Sequence, residues 1–372
     1  MNKLNKDKQA KAEDNKIDLS KLRAEIDSID SNIQQLISKR AEIASNVAKT
    51  KAKSKSGGAF YRPEREAQVL RAVKKRNDGP LQDETLVRLF REIMSACLAQ
   101  QKPLNIAYLG PAGTFSEMAT YKYFGHSVSA MPVTSIDSVF AEVEAGIADF
   151  GMVPVENSTE GAVNNTLDMF LSSPLKICGE LDLPIHHNLM SRNDNLTDIN
   201  TVFSHRQSLA QCRGWLKENM PHVECIAVSS NAEAAKRAQF TDHSAAIAGV
   251  SAATMYGLNV LHKEIEDRSD NSTRFLVIGK QILVASGDDK TSLLVAAKDQ
   301  PGALFHILQP LNDCQVSMTR IESRPSKRGK WDYVFFIDVD GHKDDDNLAK
   351  AIRMLERITT QLKVLGSYPK SV

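Results

Sequence analysis

The sequence predicts a multidomain chain: an all-α N-terminal domain, a two-lobed α/β domain in the middle, and a small ferredoxin-like βαββαβ module at the C-terminus. Three observations predict it. Residues 20–51 contain neither Pro nor Gly, and Leu22, Ile26, Ile29, Ile33, Leu36, Ile43 and Val47 step by 3 and 4, which is a helical stripe. From Leu104 onward, short apolar runs alternate with helical patterns, as in α/β layers with a parallel sheet. Residues 291–372 read strand, helix, strand, strand, helix, strand. A length of 372 residues suits two or three domains of roughly 100–200 residues each.

The elements follow in order. Residues 1–16 are polar with few apolar anchors and read as a disordered extension. Residues 17–102 form the helical domain. Its first helix, capped by Asp18 or Ser20, would be a rod of about 48 Å, ended by Gly57-Gly58. Pro63 opens a second helix to about Arg76. After the Asn77-Asp78-Gly79-Pro80 turn, a third runs from Asp83 to Gln101 and stops at Pro103. One long rod and two shorter helices bury little by themselves, so a homodimer or higher oligomer through this segment is expected.

Residues 103–281 form the α/β domain, with strands at 104–110, 127–133, 149–155, 202–203, 223–228, 245–248 and 275–278, and helices at 136–145, 207–219 and 232–239. Residues 282–290 read as a linker. In the final module, strands are expected at 291–297, 316–324, 331–339 and 364–368, with helices at 301–311 and 346–362.

Composition excludes several functions. Hydrophobic residues are 42% and charged residues 25%, near the globular average. Net charge is +1, so the whole chain is no nucleic-acid arm. Residues 1–101 hold 21 Lys+Arg against 14 Asp+Glu, and the rest 26 against 32. That basic excess is either a solvated basic face or a site for a small anionic molecule. Cys97, Cys178, Cys212, Cys225 and Cys314 are scattered without a CxxC pair, suggesting neither disulfide framework nor metal site. No apolar run reaches the ~20 residues of a membrane span. A cytoplasmic location and no cofactor are expected.

The apolar stripe is interrupted at Arg40 and continues to Lys51. A buried unpaired charge is costly, so these cations either snorkel to water or line a pocket. The segments Leu22-Arg23-Ala24-Glu25-Ile26-Asp27, Lys39-Arg40, Val47-Ala48-Lys49-Thr50-Lys51 and Tyr61-Arg62-Pro63-Glu64-Arg65-Glu66 resemble the all-helical chorismate mutases. That resemblance implies an interlocked dimer. Arg23 of the partner chain and Arg40 would clamp chorismate's carboxylates. Lys51 and Gln101 would donate to the breaking ether oxygen, Glu66 would hold the ring hydroxyl, and Arg62 and Cys97 would add contacts. The pericyclic rearrangement to prephenate needs orientation and charge stabilisation, without base or metal.

Four polar clusters end strands or open helices in the middle domain: Gly110-Pro111-Ala112-Gly113-Thr114-Phe115-Ser116, Val153-Pro154-Val155-Glu156-Asn157-Ser158, Ser204-His205-Arg206-Gln207-Ser208-Leu209-Ala210-Gln211, and Asn271-Ser272-Thr273-Arg274-Phe275. The first suits a carboxylate rather than a nucleotide. Open α/β sheets bind ligands at strand carboxyl ends. Together the clusters resemble prephenate dehydratases. The resemblance implies that Thr273 assists the departing hydroxyl, with Glu156 or His205 as an alternative acid. Arg274, Ser116 and Asn157 would position carboxylates, and Thr114, Ser158, Gln207, Asn271 and Phe275 complete the expected prephenate site.

In the last module, Gly302-Ala303-Leu304 and Glu322-Ser323-Arg324-Pro325 resemble the ACT domain of phenylalanine-sensing enzymes, implying L-phenylalanine as an allosteric effector bound between paired modules. The whole chain resembles the bifunctional chorismate mutase/prephenate dehydratases of phenylalanine biosynthesis. The alternatives are arogenate as the dehydratase substrate, or a non-catalytic amino-acid-responsive regulator on the same fold. A nucleic-acid-binding N-terminus would predict salt-sensitive DNA binding.

Overall fold

The computed structural model describes residues 3–53, 60–297, 300–325 and 333–372, with residues 3–18 and 51–53 described by backbone alone. Helix α1 (Lys3–Lys53) is unbroken, as its lack of Pro and Gly allows. It starts inside the segment expected to be disordered, because Lys, Ala, Glu and Gln are good helix formers even without an apolar face. Its stripe is solvent-facing: Leu22, Ile26, Ile29, Ile33, Ile43 and Val47 are about half exposed. The expected stop at Gly57-Gly58 lies outside the described residues.

Helix α2 (Pro63–Lys75) has Pro at its first position, where the missing N–H costs nothing. Helix α3 is Asp83–Ala99. The chain divides into two compact units that cut across the expected helical domain. One holds residues 1–60 and 96–102; the other holds 61–95 and 103–372. Within the second unit, Arg71 of α2 donates to Ser286 Oγ (3.0 Å) and to the Asp288 carbonyl (2.6 Å).

The first lobe comprises β1 (Asn105–Leu109), α4 (Phe115–Phe124), β2 (Ser129–Val133), α5 (Ile136–Ala145), β3 (Phe150–Asn157), β4 (Gly161–Ala162), α6 (Asn164–Ser172) and β5 (Lys176–Pro184). The second comprises β6 (Asn188–Ser191), β7 (Thr201–His205), α7 (Arg206–Gln211), α8 (Arg213–Asn219), β8 (Glu224–Val228), α9 (Asn231–Phe240), β9 (Ser244–Ala248), α10 (Val250–Tyr256) and β10 (Asn259–His262). The chain then returns to the first lobe through β11 (Ser272–Gly279). Sheet orders are β2-β1-β3-β11-β5, with β4 on β3, and β10-β6-β9-β7-β8.

Both sheets are mixed rather than parallel. β1 runs parallel to β2 and β3, while β11 is antiparallel to β3 and β5. β7 runs parallel to β8 and β9, while β6 is antiparallel to β9 and β10. The return strand causes this in the first lobe: it enters from the second lobe and has no crossover helix to reverse it. The single helix expected over 207–219 breaks at Cys212.

The C-terminal module is β12 (Asp289–Ala297), α11 (Ala303–Asp313), β13 (Met318–Pro325), β14 (Tyr333–Asp340), α12 (Asp346–Ile358) and β15 (Gln361–Pro369), with sheet order β13-β14-β12-β15. Asp289 and Lys290 belong to β12 rather than to a linker; the expected strand residues Trp331 and Asp332 lie outside the described residues. Leu293, Val295, Ile307, Leu311, Phe335, Ile337, Val339, Leu348 and Leu355 form the core between the sheet and its two helices. The other sheet face, carrying Lys290, Ser292 and Asp338, turns toward β5 and β11.

Candidate functional site

The antiparallel register of β3 and β11 pairs Thr273 with Asn157 and Arg274 with Glu156. Side chains alternate along strands, so each cross-strand pair occupies one face. On the first face Asn157 Nδ2 donates to Thr273 Oγ1 (2.8 Å) and to Asn271 Oδ1 (3.2 Å). Ser158 Oγ accepts from the Ser272 N–H (3.0 Å). The structure thus brings Asn157, Ser158, Asn271 and Thr273 together at the polar end of one strand pair.

The cluster reaches the second lobe through Gln211, on α7. Its Oε1 accepts from Asn271 Nδ2 (3.3 Å) and lies 2.7 Å from His187 Nε2. Its Nε2 donates to Thr159 Oγ1 (2.8 Å). Because the amide oxygen only accepts, His187 carries its proton on Nε2. Burial pushes the His187 imidazole below its ordinary value, against the hydrogen bond it donates to Gln211, so the ring is neutral. Gln211 and His187 are absent from the expected site. Gln211 had a signal, four residues after Gln207 on the same helical face; His187, after β5, had none beyond its neighbour His186.

His205 ends β7 and stands as the N-cap of α7, its N–H donating to Asn231 Oδ1 (3.0 Å). Gln207, on α7, is half-buried. Thr114 caps α4, its Oγ1 bonded to the Leu109 carbonyl (3.3 Å), and Ser116 is buried. The loop before α4 is already holding a carboxylate: Glu117 accepts from the Gly113 N–H (2.7 Å) and from Tyr108 Oη (2.9 Å). Gly113 has φ +84 and lies close to Met255 and Tyr256 of α10, so a side chain there would be strained and crowded.

Three expectations are corrected. Arg274 points away from Thr273, because neighbours on a strand face opposite ways. Its guanidinium bonds Glu180 Oε2 (2.7 Å) and Asp338 Oδ2 (2.7 Å), with Tyr368 Oη at 3.2 Å. Burial works to lower its pKa, but Tyr368, Asp338 and Glu180 hold it above its ordinary value. Glu156 shares that far face and pairs with Arg320 (2.8 Å), so it is not the acid beside Thr273. Phe275 is 2% exposed and belongs to the core.

In the C-terminal module, Gly302 takes a left-handed φ of +81 before α11, which suits glycine. Gly302, Ala303 and Leu304 line a hollow with Phe305, Tyr333 and Phe335. Ser323 and Pro325 pair with Phe335 and Tyr333 and share their face. Glu322 and Arg324 turn the other way, toward the first lobe: Arg324 bonds Asn164 and Asp168 (3.2 Å) of α6.

The expected mutase residues divide between the two units. In the first, Arg23 is exposed, Arg40 half-buried and Cys97 buried. Gln101 Nε2 donates to the Ala44 carbonyl (2.9 Å). Lys51 lies in α1, its side chain outside the described part. In the second, Arg62 pairs with Glu64 (2.6 Å) and Glu66 lies 3.8 Å from Arg91. Among the described residues no cluster of metal ligands occurs and no helix is long and apolar enough to cross a membrane.

These features, helices followed by a two-lobed sheet protein and a βαββαβ module, define a multidomain enzyme of aromatic amino-acid metabolism once set beside known proteins. Family models match in the same order: chorismate mutase type II over residues 22–102, prephenate dehydratase over 106–282 and the ACT domain over 291–357. A bifunctional chorismate mutase/prephenate dehydratase of Stutzerimonas stutzeri is 54% identical over 358 residues, covering 95% of this chain and 98% of that one. Its Escherichia coli K12 counterpart is 33% identical, covering 94% and 95%. The crystal structure of a prephenate dehydratase in complex with L-Phe, from Arthrobacter aurescens, superposes with a TM-score of 0.67 at 37% identity, covering 72% of this chain and 90% of that one. The chain belongs to the bifunctional chorismate mutase/prephenate dehydratases. It is an isomerase and a lyase in one polypeptide, acting in phenylalanine biosynthesis.

Proposed function

We propose that prephenate is bound and aromatised between the two lobes, at the cluster of Asn157, Thr273, Asn271 and Gln211. The Asn157–Thr273 hydrogen bond carries this reading. Asn157 Nδ2 donates to Thr273 Oγ1, so the threonine hydroxyl has an acceptor site filled and its own proton available to a leaving hydroxyl. A threonine is a weak acid, so its contribution is a hydrogen bond that strengthens as hydroxide departs with CO₂. His205 on the second lobe remains the titratable candidate for full proton transfer. Ser116, Thr114, Ser158 and Gln207 are assigned to substrate positioning.

Chorismate is assigned to Arg23, Arg40, Lys51, Arg62, Glu66, Cys97 and Gln101, with Arg23 from a partner chain. Each large apolar side chain of α1 withdrawn from water contributes roughly 1.5–3 kcal/mol, which favours a homodimer or higher oligomer through this helix. Phenylalanine is assigned as feedback effector of the C-terminal module, near Gly302-Ala303-Leu304 and Glu322-Ser323-Arg324-Pro325. The Arthrobacter aurescens relative, whose structure contains L-Phe, supports this. A cytoplasmic location accords with the chemistry.

The test is a one-pot assay from chorismate. Thr273→Ala accumulates prephenate and forms phenylpyruvate about 10²–10³-fold more slowly, while Lys51→Ala stops chorismate consumption and still converts added prephenate. Loss of both reactions from either substitution in folded protein would refute separate sites.

A further inference from the structure

We propose that Arg320 is a positioning residue for the dehydratase reaction, and the side chain through which strand β13 acts on the catalytic end of β3. Arg320 stands two residues before Glu322 and four before Arg324, so all three share the face of β13 that meets the first lobe. Its Nε lies 2.8 Å from Glu156 Oε2, and its Nη2 lies 3.9 Å from Glu322 Oε2. That Nη2 is buried and makes no hydrogen bond. One guanidinium is therefore paired with the lobe through Nε and stands at the edge of ion-pair distance from its own strand through an unbonded Nη2.

The lobe end of this contact is one residue from the chemistry. Glu156 precedes Asn157, whose Nδ2 holds Thr273 Oγ1 at 2.8 Å. Pulling Glu156 outward rotates the same backbone that aims Asn157 inward, since the two side chains project from opposite faces of one strand. Arg324 clamps the strand a second time, to Asp168 and Asn164 of α6. A shift of β13 is thus delivered to the first lobe at two points, and only the Arg320 point lies on the catalytic strand. The regulatory half of this proposal rests on β13 being the phenylalanine strand; the positioning half does not.

The experiment uses the full-length protein with Arg320→Gln, Arg320→Lys and the charge swap Glu156→Arg/Arg320→Glu. Without effector, Arg320→Gln lowers dehydratase kcat roughly 3–30-fold with KM for prephenate nearly unchanged, and the swap recovers most of the loss. Labelled phenylalanine still binds Arg320→Gln in equilibrium dialysis, while the concentration for half inhibition rises by a similar factor. Wild-type kcat together with a wild-type inhibition curve in Arg320→Gln would overturn the proposal, as would a swap no better than either single variant. If Arg320→Gln fails to fold, Arg320→Lys, which keeps charge but shortens reach, carries the same comparison. If wild-type protein binds no phenylalanine, the effector reading falls, and kcat of the single and swapped variants still decides the positioning role.

Discussion

The two faces of the β3–β11 pair do different work with adjacent residues. On one face Thr273 and Asn157 make a neutral hydrogen bond at the polar end of the lobes. On the other Arg274 and Glu156 are ionic, and each reaches a residue of the C-terminal module. The difference teaches that a motif is a string in sequence and a pair of faces in a sheet. The neutral side is where we place the chemistry, and the ionic side is where the lobe meets the C-terminal module. A buried ion pair is specific more than it is strong, because desolvation offsets much of the attraction. Its removal from one side is nevertheless costly, and that sets the first way to separate the faces.

Arg274→Ala takes the arginine partner from buried Asp338 and leaves buried Glu180 with Lys290 alone, and should destabilise the fold by about 3–5 kcal/mol. Urea unfolding followed by tryptophan fluorescence measures this. A loss below about 1 kcal/mol, the range of exposed ion pairs, would show that the far face is solvated. Asn157→Ala tests the near face. It should leave the unfolding midpoint almost unchanged and cut dehydratase kcat about 10²-fold; a variant with low stability and full turnover would reverse the assignment of the two faces.

Gln101, among the residues assigned to chorismate, supplies a control with a neutral amide. Gln101 donates to the Ala44 carbonyl and needs no proton to donate elsewhere. A Glu at this position donates only when protonated, against a reference pKa of about 4.3. Mutase activity should stay high through neutral pH in the wild type, and Gln101→Glu should move its optimum to acid. An unchanged profile would remove Gln101 from the ether contact.

The smallest effect concerns His187. Its folded-state pKa is lowered by burial, so the unfolded chain binds the extra proton first. Stability is fully present above the unfolded value of about 6.5 and declines as pH falls toward the depressed native value. The slope is at most ~1.4 kcal/mol per pH unit for one proton. Unfolding free energies of wild type and His187→Asn between pH 7.5 and 5.5 measure it; equal slopes would place the ring in water.

Much was legible in the sequence because it depends on local pattern. The 3–4 stripe and the missing Pro and Gly determined α1, Pro63 determined where α2 begins, and the βαββαβ order determined the last module. The strand-end clusters, read together with the family resemblance, placed Thr273, Asn157 and Asn271 among the candidates for one site, but only the antiparallel pairing of β3 with β11 brings them to the same edge of a sheet. Tertiary structure alone decided that β11 returns antiparallel, which sets the register that pairs Thr273 with Asn157 and turns Arg274 away. It alone decided that Gln211 crosses between lobes and that Arg320 reaches Glu156, 164 residues earlier in the chain. Helix and strand periodicity is written into neighbouring residues, whereas a pairing between distant strands depends on which surfaces they bury together, and no local spacing encodes that.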